Sequence, residues 1–393
     1  RGFAPALSMA SQQIFDLATN YDLSTLPMFL LMGALVHRAN LSEDLYSACN
    51  AWIGRRRGGL AMATIGACGG FAAVCGSSMA TAATMARIAI PSMRRFGYAD
   101  SLGAASIAAG GTLGILIPPS VPMVIYGLLT QADIGKLFIA GIVPGLIMIA
   151  AYILAIAAVV RLDPASGPRG PHATWPERWS ALWRVWGVAL LFILVLGGIY
   201  FGVCTPTEAA GVGSAGALLF TIARRQLTWK KLAESLMEAG RTTTTIFVVM
   251  FGALVFANFL TMTGMVTDLV AAIRALNLAP ITVILLICVV YLFLGCIFES
   301  LGMMLITIPV FFPIVVSFGM DPIWFGIIVV IVIEIGLITP PVGMNVFVVK
   351  SVVEDITLGT IFRGIAPFVL ASLVVLLLVV FVPSVALFLP RLM

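Results

Sequence analysis

Gly114-Ile115-Leu116-Ile117-Pro118-Pro119 and, 222 residues later, Gly336-Leu337-Ile338-Thr339-Pro340-Pro341 are the same interruption written twice. Each lies inside an apolar run, 101–129 and 323–349, long enough to cross a bilayer as helix. The same offset pairs Ser78 with Ser300, Pro91 with Pro313, Gly97 with Gly319, and Asp133-Ile134 with Asp355-Ile356. One residue out of register, Gly141-Ile-Val-Pro144 answers Gly364-Ile-Ala-Pro367. Proline has no N–H and excludes the carbonyl four residues back from helical bonding. The two pairs therefore free the carbonyls of Gly114, Ile115, Gly336 and Leu337. An unpaired carbonyl in hydrocarbon costs several kcal/mol, so a bound cation or trapped water must complete it. Thr112, Ser120, Thr339 and Gly343 stand nearby, where hydroxyls and bare backbone let a ligand approach.

Composition agrees with lipid as the solvent. The chain is 61% hydrophobic and 10% charged, with a mean hydropathy of +1.11, against about 25% charged in an ordinary soluble domain. The 38 glycines and 21 prolines exceed what straight spanning helices need and point to close packing and deliberate breaks. The cysteines at 49, 68, 75, 204, 288 and 296 show no metal-ligand spacing and read as small buried hydrophobes. Only His37 and His172 could build a histidine site. The net charge of +5 is no nucleic-acid signal, because the basic residues sit in short loops. HExxH, GxSxG, Asp-rich and paired-carboxylate signatures are missing, so no enzyme is expected.

Apolar segments at 24–37, 59–93, 101–129, 136–160, 185–203, 207–223, 243–263, 281–316, 323–349 and 364–389 give the spans. Two of them, 59–93 and 281–316, are interrupted near Ser78 and Ser300. The first is either two marginal crossings or a re-entrant hairpin, and both place its ends on one side. Following the crossings, 17 basic residues fall on that side, among them Arg55, Arg56, Arg57, Arg94, Arg95, Arg224 and Lys231. Arg1, Lys136, Arg274 and Arg391 fall opposite, and Arg87 lies within the first hairpin. The basic side is cytoplasmic by the positive-inside rule. The halves then enter from opposite faces, an inverted repeat with broken helices, which is the pattern of a secondary transporter. The linker 161–184, with Trp175, Trp179 and Trp183, reads as an interfacial helix or an ordinary anchored loop. Glu208 caps the helix that follows it, and Glu334 is an intramembrane carboxylate.

The hairpin tips complete the pattern. Cys75-Gly76-Ser77-Ser78-Met79-Ala80-Thr81 reads as a helix end, a turn and an N-cap. The N–H groups of the new helix suit a carboxylate, and the preceding carbonyls suit a cation. The second tip, Glu299-Ser300-Leu301-Gly302, has the same character plus a carboxylate. Arg87 either snorkels to the cytoplasm or helps neutralise an anionic substrate.

Taken together, Arg57-Gly-Gly-Leu60, Cys75-Gly-Ser-Ser-Met-Ala-Thr81, Ile90-Pro-Ser-Met93, Gly97-Tyr98, Gly114-Ile-Leu-Ile-Pro-Pro-Ser120, Gly141-Ile-Val-Pro-Gly145, Thr205-Pro-Thr-Glu-Ala209 and Gly336-Leu-Ile-Thr-Pro-Pro-Val-Gly343 resemble the large membrane subunit of TRAP transporters, the tripartite ATP-independent periplasmic systems. The match runs over nearly the whole chain. It implies an all-α polytopic membrane protein of the inverted-repeat elevator type, with two re-entrant helical hairpins and two Pro-Pro-broken helices. It implies sodium-coupled import of a small organic acid across a bacterial inner membrane, with no organic cofactor. Its implied partners are a small membrane subunit, separate or fused upstream, and a periplasmic substrate-binding protein.

By motif, one Na+ would be held among Gly76, Ser78, Thr112, Gly114, Ile115 and Pro119. A second would be held among Glu299, Gly336, Leu337, Thr339 and Gly343. Substrate would lie between the tips, among Ser77, Ser78, Thr81, Ser120, Ser300, Gly302 and Asn345. The family often has Gly and a small polar residue where Ala86 and Arg87 stand, which bears on substrate size and charge. A further first spanning helix is expected, and the start at Arg1 suggests missing upstream sequence. The implied division is scaffold and interfacial arm over 1–58, transport domain over 59–129 and 281–349, scaffold over 130–280, and arm with final helix over 350–393. The alternatives are a stand-alone ion/carboxylate antiporter of the same architecture or an ion channel. Which acid is carried, the Na+ stoichiometry and the oligomeric state stay open.

Overall fold

The structure is a computed structural model that describes residues 2–393. Among the described residues it is helical, with one isolated bridge, Arg57 to Arg169, and no strand. Helices α1 (Phe3–Thr19), α2 (Thr25–Arg38) and α3 (Leu41–Ile53) lead into a helical hairpin. Its limbs are α4 (Gly59–Cys75) and α5 (Ser78–Arg95), joined by a turn of two residues. The first broken helix follows as α6 (Asp100–Leu116) and α7 (Val121–Thr130). Then come α8 (Ile134–Leu162), α9 (Trp175–Arg184), α10 (Trp186–Tyr200), α11 (Pro206–Ala223), α12 (Trp229–Thr263) and α13 (Met265–Ala275). A second hairpin, α14 (Pro280–Gly295) with α15 (Ser300–Ser317), precedes the second broken helix, α16 (Pro322–Ile338) with α17 (Met344–Val352). Helices α18 (Leu358–Phe381) and α19 (Ser384–Leu387) end the chain.

The repeat read from sequence recurs in the backbone. Both Pro-Pro peptides are cis. Gly97 and Gly319, equivalent by the offset, each end a hairpin at φ of 75° and 71°, a left-handed turn that glycine adopts without steric cost. Ser77 and Glu299, also equivalent, are both N-caps with extended backbone. The halves then exchange partners. The C-terminal half-helix α7 packs on the second hairpin's α15, and α17 packs on the first hairpin's α5. The long halves α6 and α16 pack on each other, each also against the first limb of its own hairpin. The chain between Asp100 and Leu116 is buried almost throughout, as is α16 from Trp324 to Ile338.

The largest boundary differences from the sequence reading are two, and two helices lie outside the spans read from sequence. Helix α12 begins at Trp229 rather than at 243, because Lys230, Lys231, Glu234, Glu238 and Arg241 depress hydropathy without stopping the helix. Arg38 joins this extension to α2 through Glu234 (2.5 Å) and Glu238 (2.9 Å). Helix α18 ends at Phe381 rather than 389, where Val382 precedes Pro383 and leaves the helical region. Helix α13 was not foreseen, its apolar face being too short to read as a span, and α1 precedes the first span read from sequence. The linker resolves as a loop over 163–174 followed by helix α9. Thr174 and Glu177 form a capping box at the start of α9, whose Trp175 and Trp179 stack edge-on against Trp52 of α3. Glu208 caps α11 through Thr205 as expected.

Candidate functional site

The first tip ends against the first break. A Cβ added at Gly76 would lie 3.0 Å from the Pro119 carbonyl oxygen, and one at Gly114 would lie 2.7 Å from the Ser77 carbonyl oxygen. Only glycine allows two backbones so close. The break lies between the halves of the 31-residue apolar stretch Asp100–Thr130. The tip therefore stops part-way through the protein, which makes 59–93 a re-entrant hairpin and not two crossings. Gly111 extends the seam: a Cβ there would meet Ala82 Cβ at 2.8 Å, Ser78 O at 3.1 Å and Asn345 Nδ2 at 3.1 Å. Asn345 comes from α17, so the second repeat reaches into the first repeat's site. Its Nδ2 donates to the Ala108 carbonyl (3.1 Å), while its Oδ1 is buried with no hydrogen-bond partner.

Gly76, Ser77, Ser78, Gly114, Pro119 and Asn345 are thus brought together. Ser77 Oγ accepts from the Ala80 N–H at 3.4 Å, and Thr81 Oγ1 donates to the Ser77 carbonyl at 2.7 Å. Among the described residues, the N–H groups of Ser78 and Met79 have no acceptor. The freed carbonyls are not equally bare. Ile115 O accepts the Ser120 hydroxyl (2.5 Å), and Gly336 O accepts the Thr339 N–H (3.2 Å). Gly114 O and Leu337 O receive no hydrogen bond among the described residues. Thr112 is not turned to the tip. Its hydroxyl donates to Ala109 O (2.7 Å) and sits 3.2 Å from the Tyr152 hydroxyl, which bonds Ser372 at 2.8 Å.

The second tip packs more tightly still. A Cβ at Gly336 would lie 2.6 Å from the Gly295 backbone. Glu299 accepts from the N–H groups of Leu301 (3.0 Å) and Gly302 (3.2 Å) and from the Ser300 hydroxyl (2.7 Å). Gly302 and Ser300 are therefore engaged by their own cap. Thr339 Oγ1 donates to Ile335 O at 2.6 Å, and Gly343 caps α17 at a φ of 62°. Glu334 is fully buried, with neither oxygen hydrogen-bonded. No three His, Cys, Asp or Glu side chains converge among the described residues. A cation at either break would be held by carbonyls and hydroxyls, and the two bare carbonyls with Asn345 Oδ1 suit that chemistry.

A cavity of about 580 Å³ runs from the first tip toward the basic face. Cys75, Ser77, Ala80, Thr84 and Arg87 of the hairpin line one side, with α2 and α12 opposite. Arg87 is exposed there, with no ion pair among the described residues. His37 Nδ1 and Thr84 Oγ1 meet at 3.3 Å across the cavity wall. Sequence reasoning missed Gly111, Tyr152 and His37 as neighbours of this region. The run Gly110-Gly111 was the one available signal, since paired glycines in a membrane helix mark a close approach.

Comparison with known proteins converges on one family. Residues 2–385 match the model of the tripartite ATP-independent periplasmic transporter, DctM component. The chain is 40% identical to the C4-dicarboxylate TRAP transporter large permease protein DctM of Pseudomonas aeruginosa, over 96% of this chain and 88% of that one. It is 34% identical to the isethionate TRAP transporter permease protein DctMQ of Oleidesulfovibrio alaskensis, over 97% of this chain and 60% of that one. Its fold is similar to the crystal structure of the Alcanivorax borkumensis YdaH transporter, described as having an unusual topology. The TM-score is 0.63 at 15% identity, covering 94% of this chain and 88% of that one. The chain belongs to the TRAP transporter large permease family and is a multi-pass membrane protein.

Proposed function

We propose that this TRAP large permease imports a small organic acid by sodium-coupled secondary transport in the bacterial inner membrane. One observation supports the reading: the first hairpin tip, where the Ser78 and Met79 N–H groups are unpartnered, borders at Cys75, Ser77 and Ala80 a cavity that leads to the basic face. An anion held at the tip would leave along that path past Arg87. Sodium would be cargo, not a resident cofactor. The first site would use the carbonyls of Gly114 and Pro119 with Gly76 and Ser78. The second would use Leu337, Thr339 and Gly343 with Glu299. Carbonyl dipoles with hydroxyls suit a hard monovalent cation, while helix N-termini suit a carboxylate.

The exchange of half-helices, α7 onto α15 and α17 onto α5, supports treating 59–129 and 281–349 as one body. An elevator would carry that body past the flanking helices, opening the tip to one face at a time. The implied partners are a small membrane subunit and a periplasmic binding protein. The name of the DctMQ relative, a single longer chain, agrees with a second membrane component. The test is uptake into proteoliposomes holding the intact transporter, with and without its binding protein. Sodium-gradient-driven, ATP-independent uptake that needs the binding protein is expected. Uptake without it would favour a stand-alone antiporter, and conduction without saturation would favour a channel.

A further inference from the structure

Five arginines surround one cavity on the cytoplasmic face. The space, about 490 Å³, is lined by Trp52, Arg55, Arg56, Arg57, Arg169 and Arg178. A sphere of that volume is about 10 Å across, close to one Debye length at physiological salt, so neighbouring charges in the cluster are only partly screened from one another. None of the five pairs with a carboxylate among the described residues. The positive-inside rule explains why arginines lie on this face. It does not explain why five of them share one cavity.

The backbone holds them there. Arg57 and Arg169 form the bridge that joins the linker to the turn between α3 and α4. Flanking bonds fix it: Gly58 N–H to Gly167 O at 2.8 Å and Gly170 N–H to Gly54 O at 3.0 Å. Arg178 stacks over Trp175 at 5.0 Å, and its Nε is buried with no hydrogen-bond partner. The exposed rings of Trp52, Trp175 and Trp179 stand beside the charges, where tryptophan marks the depth of lipid head groups. Clustered like charges, fixed in place and lacking a counter-charge, form a site for a dense anion.

We propose that this cavity binds the phosphate head group of an anionic phospholipid of the cytoplasmic leaflet, at the joint between α3 and the first hairpin. Guanidinium forks fit phosphate oxygens bidentately, and the adjoining tryptophans fit the glycerol and acyl region. Near a membrane surface each basic residue strengthens anionic-lipid binding about fivefold. Replacing Arg55, Arg56 and Arg57 together should therefore weaken it roughly a hundredfold.

The test uses the purified intact transporter. Lipids retained after detergent exchange are identified by mass spectrometry, and binding is titrated with phosphatidylglycerol, cardiolipin, phosphatidylethanolamine and inorganic diphosphate. Retention of an anionic phospholipid, loss of its binding in Arg55→Gln/Arg56→Gln/Arg57→Gln, and its partial retention in the matching Lys variant, which keeps the charge but not the fork, are expected. Thermal stabilisation by diphosphate with no retained phospholipid would assign a soluble phosphate instead and overturn the lipid source. Equal binding of phosphatidylethanolamine, or equal anionic-lipid binding by wild type and the Gln variant, would overturn the site. Lipid identification on the wild type stands even if the Gln variant does not fold.

Discussion

Gly114→Ala is the most direct probe of the seam between tip and break. The added Cβ would lie 2.7 Å from the Ser77 carbonyl oxygen and 2.8 Å from its carbon, where ordinary contact begins at 3.4 Å. The atoms in the way are backbone, so no side chain can rotate aside, and the tip must retreat by about 0.7 Å. Overpacking of this kind costs about 1–3 kcal/mol. If that cost falls on the ligand-bound geometry, cation affinity drops about 5–150-fold. Elsewhere the same exchange has the opposite sign. Gly240 lies inside α12 with nothing within 4 Å of an added Cβ, and Ala there should gain about 0.5–1 kcal/mol of helix stability. Sodium dependence of uptake, together with thermal stability of both variants, separates local from general effects. Gly114→Ala should need far more sodium, Gly240→Ala the wild-type amount, and Gly336→Ala should behave like Gly114→Ala. A Gly114→Ala protein with unaltered sodium affinity would refute the coupling of tip to break.

Other perturbations read other parts of the molecule. Arg87→Ala should cut uptake of an anionic substrate about tenfold or more, leave sodium affinity intact, and be partly rescued by Lys; equal kinetics would place Arg87 outside the path. Arg94 ties α5 to Asp100 (2.9 Å) and Asp355 (2.8 Å) and holds the Asp355 carboxyl below the usual carboxylate range. A depressed carboxyl contributes stability above its unfolded pKa, about 4, and loses it as pH falls through the folded value. Asp355→Asn should therefore flatten the acid side of the thermal-stability profile, and an unchanged acid limb would count against the bridge. In a cysteine-free background, Arg95→Cys and Arg225→Cys should react with impermeant thiol reagents only from the cytoplasm, and Arg274→Cys only from the periplasm. Any reversal overturns the topology.

Much of the fold was legible because its decisive features are local. A Pro-Pro pair breaks a helix wherever it falls, and Gly97 and Gly319 sit at positive φ because a hairpin must turn after Arg94-Arg95 and Ser317-Phe318. Charge, equally local, yields an expected sidedness that the thiol-labelling experiment checks. What stayed hidden depends on distance through space. Nothing in the sequence near Ser120 says that its hydroxyl completes the Ile115 carbonyl, or that Thr112 turns to Tyr152 on α8. Nor could spacing reveal that Asn345, 267 residues beyond Ser78, lies on the first repeat's seam, because that contact needs α17 to cross onto α5. Helix α12 was shortened for a different reason: hydropathy reports lipid contact, whereas helices continue into water when paired charges support them.

The two tips are related by the repeat but differ in charge, and under the proposed function that difference would divide their tasks. At the first tip a neutral hydroxyl, Ser77, forms the cap, at a long 3.4 Å, and leaves the Ser78 and Met79 N–H groups unpartnered. At the second tip the carboxyl-bearing Glu299 takes the Leu301 and Gly302 N–H groups. A carboxylate cap offsets its helix's positive end with a negative charge, which a hydroxyl cap cannot do. An anion would be repelled there and a cation attracted. On this reasoning a substrate carboxylate belongs at the first tip, and the charge of Glu299 serves sodium. Glu299→Gln keeps an acceptor for the same N–H groups but removes the charge. It should preserve folding and substrate KM at saturating sodium, while raising the sodium concentration for half-maximal uptake about tenfold, the scale of one charge-assisted contact. A substrate KM that changes instead, with sodium dependence intact, would reverse the assignment of the two tips.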